Sequence, residues 1–377
     1  MGVAIQLQAD RTGRGPVESV TLLDGGREAF PRMLDAIESA RHEIFLETYA
    51  FARDGVGEHF LDALGAAARR GVRVSVVLDG WGSLLDGRTI QAVLGAAGGE
   101  VRIYHPLLGL LVGRFGRDHR KILLVDGEVA FLGGINIGEE YGQAPGHVPP
   151  PSGGGAPAWL DLALEVRGPA AAWLARRVRG DRTPQPPGKV RIHLSGRGGG
   201  HKLRRRYLKA IGGAQHDIRV AQAYFIPDRR LVRSLTAAAR RGIRVTLLLA
   251  GRSDVRFART AAMRLYRQLL RSGVEIREWT SSVLHAKAAL VDGTRFLVGS
   301  FNLDPFSLAN LESLVELDDP EVGKAAAGWM EAHLAEARPV SIAEVEGRTP
   351  LQRWLLDTGG LAAARFAEWV GRLLRTR

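Results

Sequence analysis

Two stretches of this chain repeat one pattern. His119-Arg120-Lys121 running to Asp126 and His285-Ala286-Lys287 running to Asp292 each give a His, one residue, a Lys, four residues and an Asp. Both continue in step, with Gly133, Gly134 and Asn136 after the first and Gly299, Ser300 and Asn302 after the second, so every matched position stands 166 residues apart. Apolar residues fill the gaps (Ile122, Leu123, Leu124, Val125; Ala288, Ala289, Leu290, Val291). That predicts a buried strand, a tight turn at Asp126-Gly127 or Asp292-Gly293, and a second strand. On such a strand His and Lys, two apart, face the same side.

The repeat reaches beyond the motifs. Residues 67–74 are echoed by 238–245 at an offset of 171, and His42 through Phe51 by His216 through Phe225 at 174. Asp161 through Glu165 is echoed by Glu312 through Glu316 at 151. The drop of 15 after Asn136 and Asn302 matches an extra Pro- and Gly-rich loop around Pro145 to Pro157. The chain therefore reads as a tandem duplication of one α/β unit, giving two domains and not a solenoid.

Within each unit the periodicity alternates. Ala29 to Ala40 places Phe30, Met33, Leu34 and Ile37 on one helical face, Arg41 to Phe51 reads as a strand, Gly57 to Arg70 as a helix and Val72 to Leu78 as a strand. Strand, helix, strand implies a parallel core. The expected fold class is α/β: two tandem α/β/α sandwich domains with mixed sheets, related by a pseudo-two-fold axis, with the active site at their interface. The punctuation from Gly180 to Gly200 suggests domains at 1–185 and 186–340, followed by a helical tail at 341–377.

Composition narrows the class. At 377 residues and 45% apolar content two well-cored domains are expected, and the absence of cysteine removes disulfides, thiolate metal sites and cysteine nucleophiles. The first thirty residues carry Asp10, Arg11, Arg14, Glu18 and Asp24 with no sustained apolar block, so neither a signal peptide nor a spanning helix is expected, and a cytoplasmic protein is the default. The net charge of +12 implies an anionic partner, either nucleic acid or an anionic membrane surface. Only six of the 52 basic residues are lysines, and two of those six occupy the motif positions 121 and 287. A compact ammonium is not replaced there by a guanidinium.

Two His, two Lys and two Asn brought together form a site for a phosphodiester. One neutral His attacks phosphorus in line while the other, protonated, supplies a proton to the departing alkoxide. Lys121, Lys287, Asn136 and Asn302 would hold the non-bridging oxygens, so neither metal nor cofactor is expected. A nucleophilic His needs an acceptor on its other ring nitrogen, and the repeat-matched Asp161 and Glu312 are the candidates.

The doubled motif with its trailing Gly-(Gly/Ser)-x-Asn resembles the phospholipase D superfamily over Val17 to about Ala337. Several strings resemble bacterial cardiolipin synthases: Glu47-Thr48-Tyr49 with Phe51, Arg117 through Lys121, Gly134 through Gly138, Ala223 through Pro227, and Asn302-Leu303-Asp304-Pro305 leading to Asn310-Leu311-Glu312. The resemblance implies phospholipase D-like domains, a phosphohistidine intermediate with the first-motif His as nucleophile, and a phosphatidyltransferase that forms cardiolipin or a related phospholipid from phosphatidylglycerol. Asp126 and Asp292 belong to the motif, but their place after an apolar strand gives them a structural turn role, alongside Gly133, Gly134, Gly299 and Ser300. The chain departs from many cardiolipin synthases in lacking initial membrane-spanning helices and in carrying Leu160 where a polar residue is common.

Two segments favour lipid over nucleic acid. Leu107, Leu108, Leu110 and Leu111, just before the first motif, form either an apolar loop that meets acyl chains or a buried strand. Phe366, Trp369, Val370, Leu373 and Leu374 share a helical face ringed by arginines, which either lies in a membrane interface or docks on the protein. The expected placement is peripheral at the inner face of the cell membrane, with a phospholipid substrate and no obligate protein partner. His42 and His216 read as surface residues, His105 as a possible substrate contact, and Arg204-Arg205-Arg206 as a solvated helix face. Alternatives that share the intermediate are a phospholipase D hydrolase and a nuclease, although no interleaved aromatic stacking surface for nucleic acid is evident.

Overall fold

A computed structural model of the protein describes residues 4–8, 17–105, 116–142, 157–185, 187–347, 349 and 358. The apolar segment Leu107, Leu108, Leu110 and Leu111 and the tail residues Phe366 and Trp369 lie outside the described residues.

The first sheet is built from β1 (Ala4–Gln8), β2 (Val17–Asp24), β3 (Glu43–Thr48), β4 (Arg73–Asp79), β5 (Glu100–Tyr104), β6 (Ile122–Val125), β7 (Val129–Gly133) and β8 (Leu162–Arg167), in the order β1-β2-β8-β7-β6-β3-β4-β5. Strands β3, β4 and β5 are parallel, while β6 runs antiparallel to both β3 and β7. The second sheet uses β9 (Val190–Leu194), β10 (Asp217–Gln222), β11 (Arg244–Ala250), β12 (Glu275–Trp279), β13 (Lys287–Val291), β14 (Arg295–Gly299), β15 (Ser313–Asp318) and β16 (Arg338–Pro339), in the order β16-β12-β11-β10-β13-β14-β15-β9. Read from β5 inward, the first sheet gives the same succession as the second from β12, and the parallel β10, β11 and β12 meet an antiparallel β13 as β3 meets β6. The duplication seen in the residues is thus a duplication of topology.

Helices cover the parallel strands in each case because the crossovers require them. In the first sheet α1 (Gly25–Ser39) lays Phe30, Met33, Leu34 and Ile37 into one core cluster with Phe60, Leu61 and Leu64 of α2 (Gly55–Arg69) and with Leu123, Val125, Val129 and Phe131 of β6 and β7. Ile122 and Leu124 alternate with those strand residues, lie outside that cluster, and are equally buried, so both faces of the strand are covered. Helix α1 begins at Gly25, four residues earlier than the apolar pattern predicts, with the Asp24 amide donating to Glu28 Oε2 at 3.1 Å. It also accommodates Pro31 in its interior, so packing outweighs local propensity there. Asp54 caps α2 by accepting from the Gly57 amide at 2.9 Å.

By spatial compactness the chain divides into residues 1–194 with Glu312–Glu316, and residues 195–311 with 317–377. The division falls inside the Pro- and Gly-rich stretch, where β9 forms despite the punctuation.

Candidate functional site

The hairpin that carries the first motif is fixed by its aspartate. Asp126 and Gly127 both have positive φ (53° and 67°), and the turn closes with the Glu128 amide donating to the Val125 carbonyl at 3.0 Å. The Asp126 carboxylate then accepts from the amides of Arg41, His42 and Glu43 at 2.9, 2.8 and 2.9 Å, tying the turn to the start of β3. Burial acts to raise its pKa, but these amides together with the nearby His42 outweigh it and lower the value below 3.8. Asp292 (φ 51°) does the same for the amides of Gln215, His216 and Asp217 at 2.9, 2.7 and 3.1 Å. The side chains of His42 and His216 are exposed and act on the aspartates through charge alone, and the match between them marks the backbone the aspartates hold.

Ahead of β6 the chain differs from the expected strand. His119 and Lys121 precede β6, which begins at Ile122, and the Lys121 ammonium donates to the His119 carbonyl at 2.8 Å, occupying a main-chain acceptor that a ladder would use. Lys287 opens β13 and likewise donates to the His285 carbonyl, with its ammonium 2.9 Å from His285 Nδ1.

His119 Nδ1 stands 3.1 Å from Glu312 Oε2, and the Glu312 side chain is fully buried. An ionised carboxylate only accepts, so Nδ1 carries the ring proton and Nε2 keeps the lone pair. The Tyr49 ring stands edge-on to His119 at 5.0 Å, and the Lys121 ammonium lies 5.2 Å from the Tyr49 ring centroid. Tyr224 repeats the edge-on arrangement against His285 at 6.3 Å. Asn136 accepts from the Ala50 amide at 3.2 Å and donates to the Tyr141 hydroxyl at 2.7 Å, so it is locked beside the residue that follows Tyr49. Asn302 is buried, with its backbone N–H donating to Ser307 Oγ at 3.1 Å.

Asp161 is buried in the first unit and accepts from the Leu162 amide at 2.8 Å. A Cβ on Gly134 would fall 2.3 Å from Asp161 Oδ1, which explains glycine at that motif position. Ser300, its counterpart, is fully buried, while Gly133 and Gly299 end β7 and β14.

A network unseen in the sequence backs His119. Asp118, Glu47 and Asp79 are all buried; Asp79 Oδ2 accepts from the Asp118 amide at 2.8 Å, and Arg120 reaches Glu47 at 3.2 Å. Burial, then the Glu47 carboxylate beside it, pushes the Asp118 carboxyl well above its usual range. His105 is buried with Nδ1 2.7 Å from the Gly116 carbonyl and stacks on Tyr104, which places it in loop support. Arg204 departs from the solvated face expected of its run: it is ion-paired with Asp228, whereas Arg205 and Arg206 are exposed.

In the second unit a cavity of about 360 Å³ opens beside Leu303 and Ile226, the first of which follows Asn302. Its wall combines Leu231, Leu265 and Phe301 with Arg264, Asp304 and the Arg204–Asp228 ion pair, an apolar floor with charged groups of both signs of the kind that receives a small amphipathic ligand. Among the described residues no group of three or more His, Asp or Glu side chains is arranged to hold a metal ion.

A family described as "Cardiolipin synthase, PLD-like domain" matches residues 33–141 and 207–334. Cardiolipin synthase B of Shigella flexneri is 36% identical over 325 residues, covering 80% of this chain and 76% of that protein. Cardiolipin synthase 1 of Bacillus cereus is 32% identical over 324 residues, covering 78% of this chain and 62% of the relative. The solved structure of phosphatidylserine synthase from Haemophilus influenzae superposes with a TM-score of 0.71 at 13% identity over 97% of both chains, a likeness of fold.

Proposed function

The chain belongs to the cardiolipin synthase family of phospholipase D-like proteins, and from that premise we propose that it is a phosphatidyltransferase acting on phosphatidylglycerol at an anionic membrane surface, on the inner face of the cell membrane. The observation that carries this reading is the His119–Glu312 contact, which leaves Nε2 as the basic ring nitrogen. In the first step Nε2 attacks phosphorus, the bond to the glycerol head group breaks, and His285 gives its proton to the departing alkoxide. The phosphatidyl group is then held on His119. In the second step His285 takes the proton of an acceptor hydroxyl, that oxygen attacks phosphorus, and His119 leaves. Lys121, Lys287, Asn136 and Asn302 stabilise the non-bridging oxygens through both steps.

The cavity lined by Leu303, the residue after Asn302, supports transfer over hydrolysis, since water needs no pocket whereas a glycerol head group does. Incubating the purified protein with phosphatidylglycerol vesicles and resolving products by mass spectrometry tests the proposal: cardiolipin and glycerol are expected in equal amounts. Phosphatidic acid alone would make it a hydrolase, and cleavage of DNA with no lipid turnover would make it a nuclease.

A further inference from the structure

Six large apolar side chains are exposed among the described residues, and four of them, Trp81 (51%), Leu84 (46%), Leu85 (89%) and Val93 (44%), fall between 81 and 93. They occupy the turn after β4 and the outward side of α3 (Gly87–Ala96), whose Ile90 and Leu94 face the core. The fold does not require them. At the matching place after β11 the second repeat has Gly251-Arg252-Ser253-Asp254, and the residue at the Trp81 position is an exposed arginine.

The base of this apolar projection is hydrogen-bonded to the surroundings of His119. Asp79 Oδ1 accepts from the amides of Trp81 and Gly82 at 2.9 and 3.1 Å, while its Oδ2 holds the Asp118 amide next to His119. Ser83 Oγ accepts from the Phe51 amide at 3.1 Å and donates to the Tyr49 carbonyl at 3.3 Å. A Cβ on Gly82 would lie 2.1 Å from that same carbonyl oxygen, so the turn runs directly against the residue whose ring meets His119. Arg117 places its guanidinium 5.5 Å from the Trp81 ring centroid, and Arg88 is exposed in the first turn of α3.

We propose that Trp81, Leu84 and Leu85 insert into the interface of an anionic phospholipid bilayer and seat the first-motif histidine at the lipid surface. The inference rests on the lipid reading above and names the surface that delivers the substrate. A Trp with adjacent leucines suits the boundary between acyl chains and head groups, and the flanking Arg88 and Arg117 suit the phosphates. Among the described residues no helix is long and apolar enough to cross a membrane, so attachment through this turn needs no span.

The test compares the wild-type chain with Leu84→Glu/Leu85→Glu, and separately with Trp81→Ala. Sedimentation with phosphatidylglycerol/phosphatidylcholine vesicles should fall about tenfold or more in the double variant, with turnover of vesicle substrate falling in parallel. Turnover of a short-chain phosphatidylglycerol held below its micelle concentration should stay within about twofold, which also shows that the variant is folded. Unchanged vesicle binding by both variants would overturn the proposal. So would wild-type self-association, seen by analytical ultracentrifugation and abolished by Leu84→Glu/Leu85→Glu while vesicle binding persists, since the patch would then be a protein interface. A wild type that turns over neither form of lipid would sink the transferase reading instead, and the sedimentation arm would still decide the surface.

Discussion

Replacing Glu312 with Gln removes a charge while keeping the size of the side chain and an acceptor oxygen. In the structure the carboxylate oxygen lies 3.1 Å from His119 Nδ1, fully buried, while the histidine side chain is only 12% exposed, so solvent screens the pair weakly. As Nε2 bonds to phosphorus the ring acquires a positive charge about 4 Å from the carboxylate, and at an effective dielectric of about 20 that attraction is worth about 4 kcal/mol. Losing it should slow phosphatidyl transfer to the histidine by about 10³-fold. If the amide turned its NH₂ toward Nδ1 the proton would be forced onto Nε2, and the loss would grow to about 10⁴-fold, as for the Asp-to-Asn change in the handling of a serine-protease histidine. The assay is single-turnover release of glycerol from phosphatidylglycerol, with steady-state KM expected to change by less than about threefold because the ground-state contacts survive. A fall of less than about tenfold, in a variant whose thermal unfolding is unchanged, would refute the view that Glu312 stabilises a charged histidine.

His119→Ala and His285→Ala should each reduce turnover at least about 10²-fold with intact folding by circular dichroism, and retention of more than about a tenth of the rate by either would exclude a two-histidine mechanism. Ala261→Trp, which fills the cavity lined by Leu303, should shift products from cardiolipin toward phosphatidic acid, and an unchanged ratio by mass spectrometry would remove the cavity from acceptor binding. Asp126→Ala should cost about 2–3 kcal/mol in urea unfolding at pH 7 because three amides lose a charged acceptor, two of them free to rehydrate. The folded pKa of Asp126 lies below its unfolded value of 3.8, so the wild-type advantage is present above that pH and lost as pH falls through the folded pKa; a difference that did not shrink as pH fell below 3.8 would contradict this origin. Exhaustive dialysis against EDTA should leave the rate unchanged, and loss restored by a divalent ion would require a metal in the mechanism.

The parts of the fold that the residues declare are those where chemistry and spacing coincide. The two motifs and the turns at Asp126-Gly127 and Asp292-Gly293 could be found because identical side chains recur at an offset of 166, and the acids Asp161 and Glu312 because they sit at matching strand positions at an offset of 151. Repeat logic alone left open which histidine each acid faces, since it pairs Asp161 with Glu312 without saying whether the acid serves its own motif; the structure sets Glu312 against His119. Tyr49 and Tyr224 were quoted in matched strings but given no role, because they sit 175 apart where their strands repeat at 174, and only the placed rings reveal the shared contact. Strand β9 was masked by prolines and glycines, and α1 begins on a Gly-Gly pair whose intrinsic propensity argues against it. The Trp81 to Leu85 turn carries no periodic signal at all, so its exposure had to be seen.

The acid that orients the first repeat's histidine is carried on the polypeptide of the second repeat, 193 residues away in sequence. A chain cut at the Pro- and Gly-rich stretch would yield an N-terminal fragment with a hairpin, a histidine and a lysine but no partner for Nδ1. Because the two repeats lie on one chain they need not stay identical, and the exposed apolar turn at Trp81, which has an arginine at the matching place in the second repeat, is one such difference.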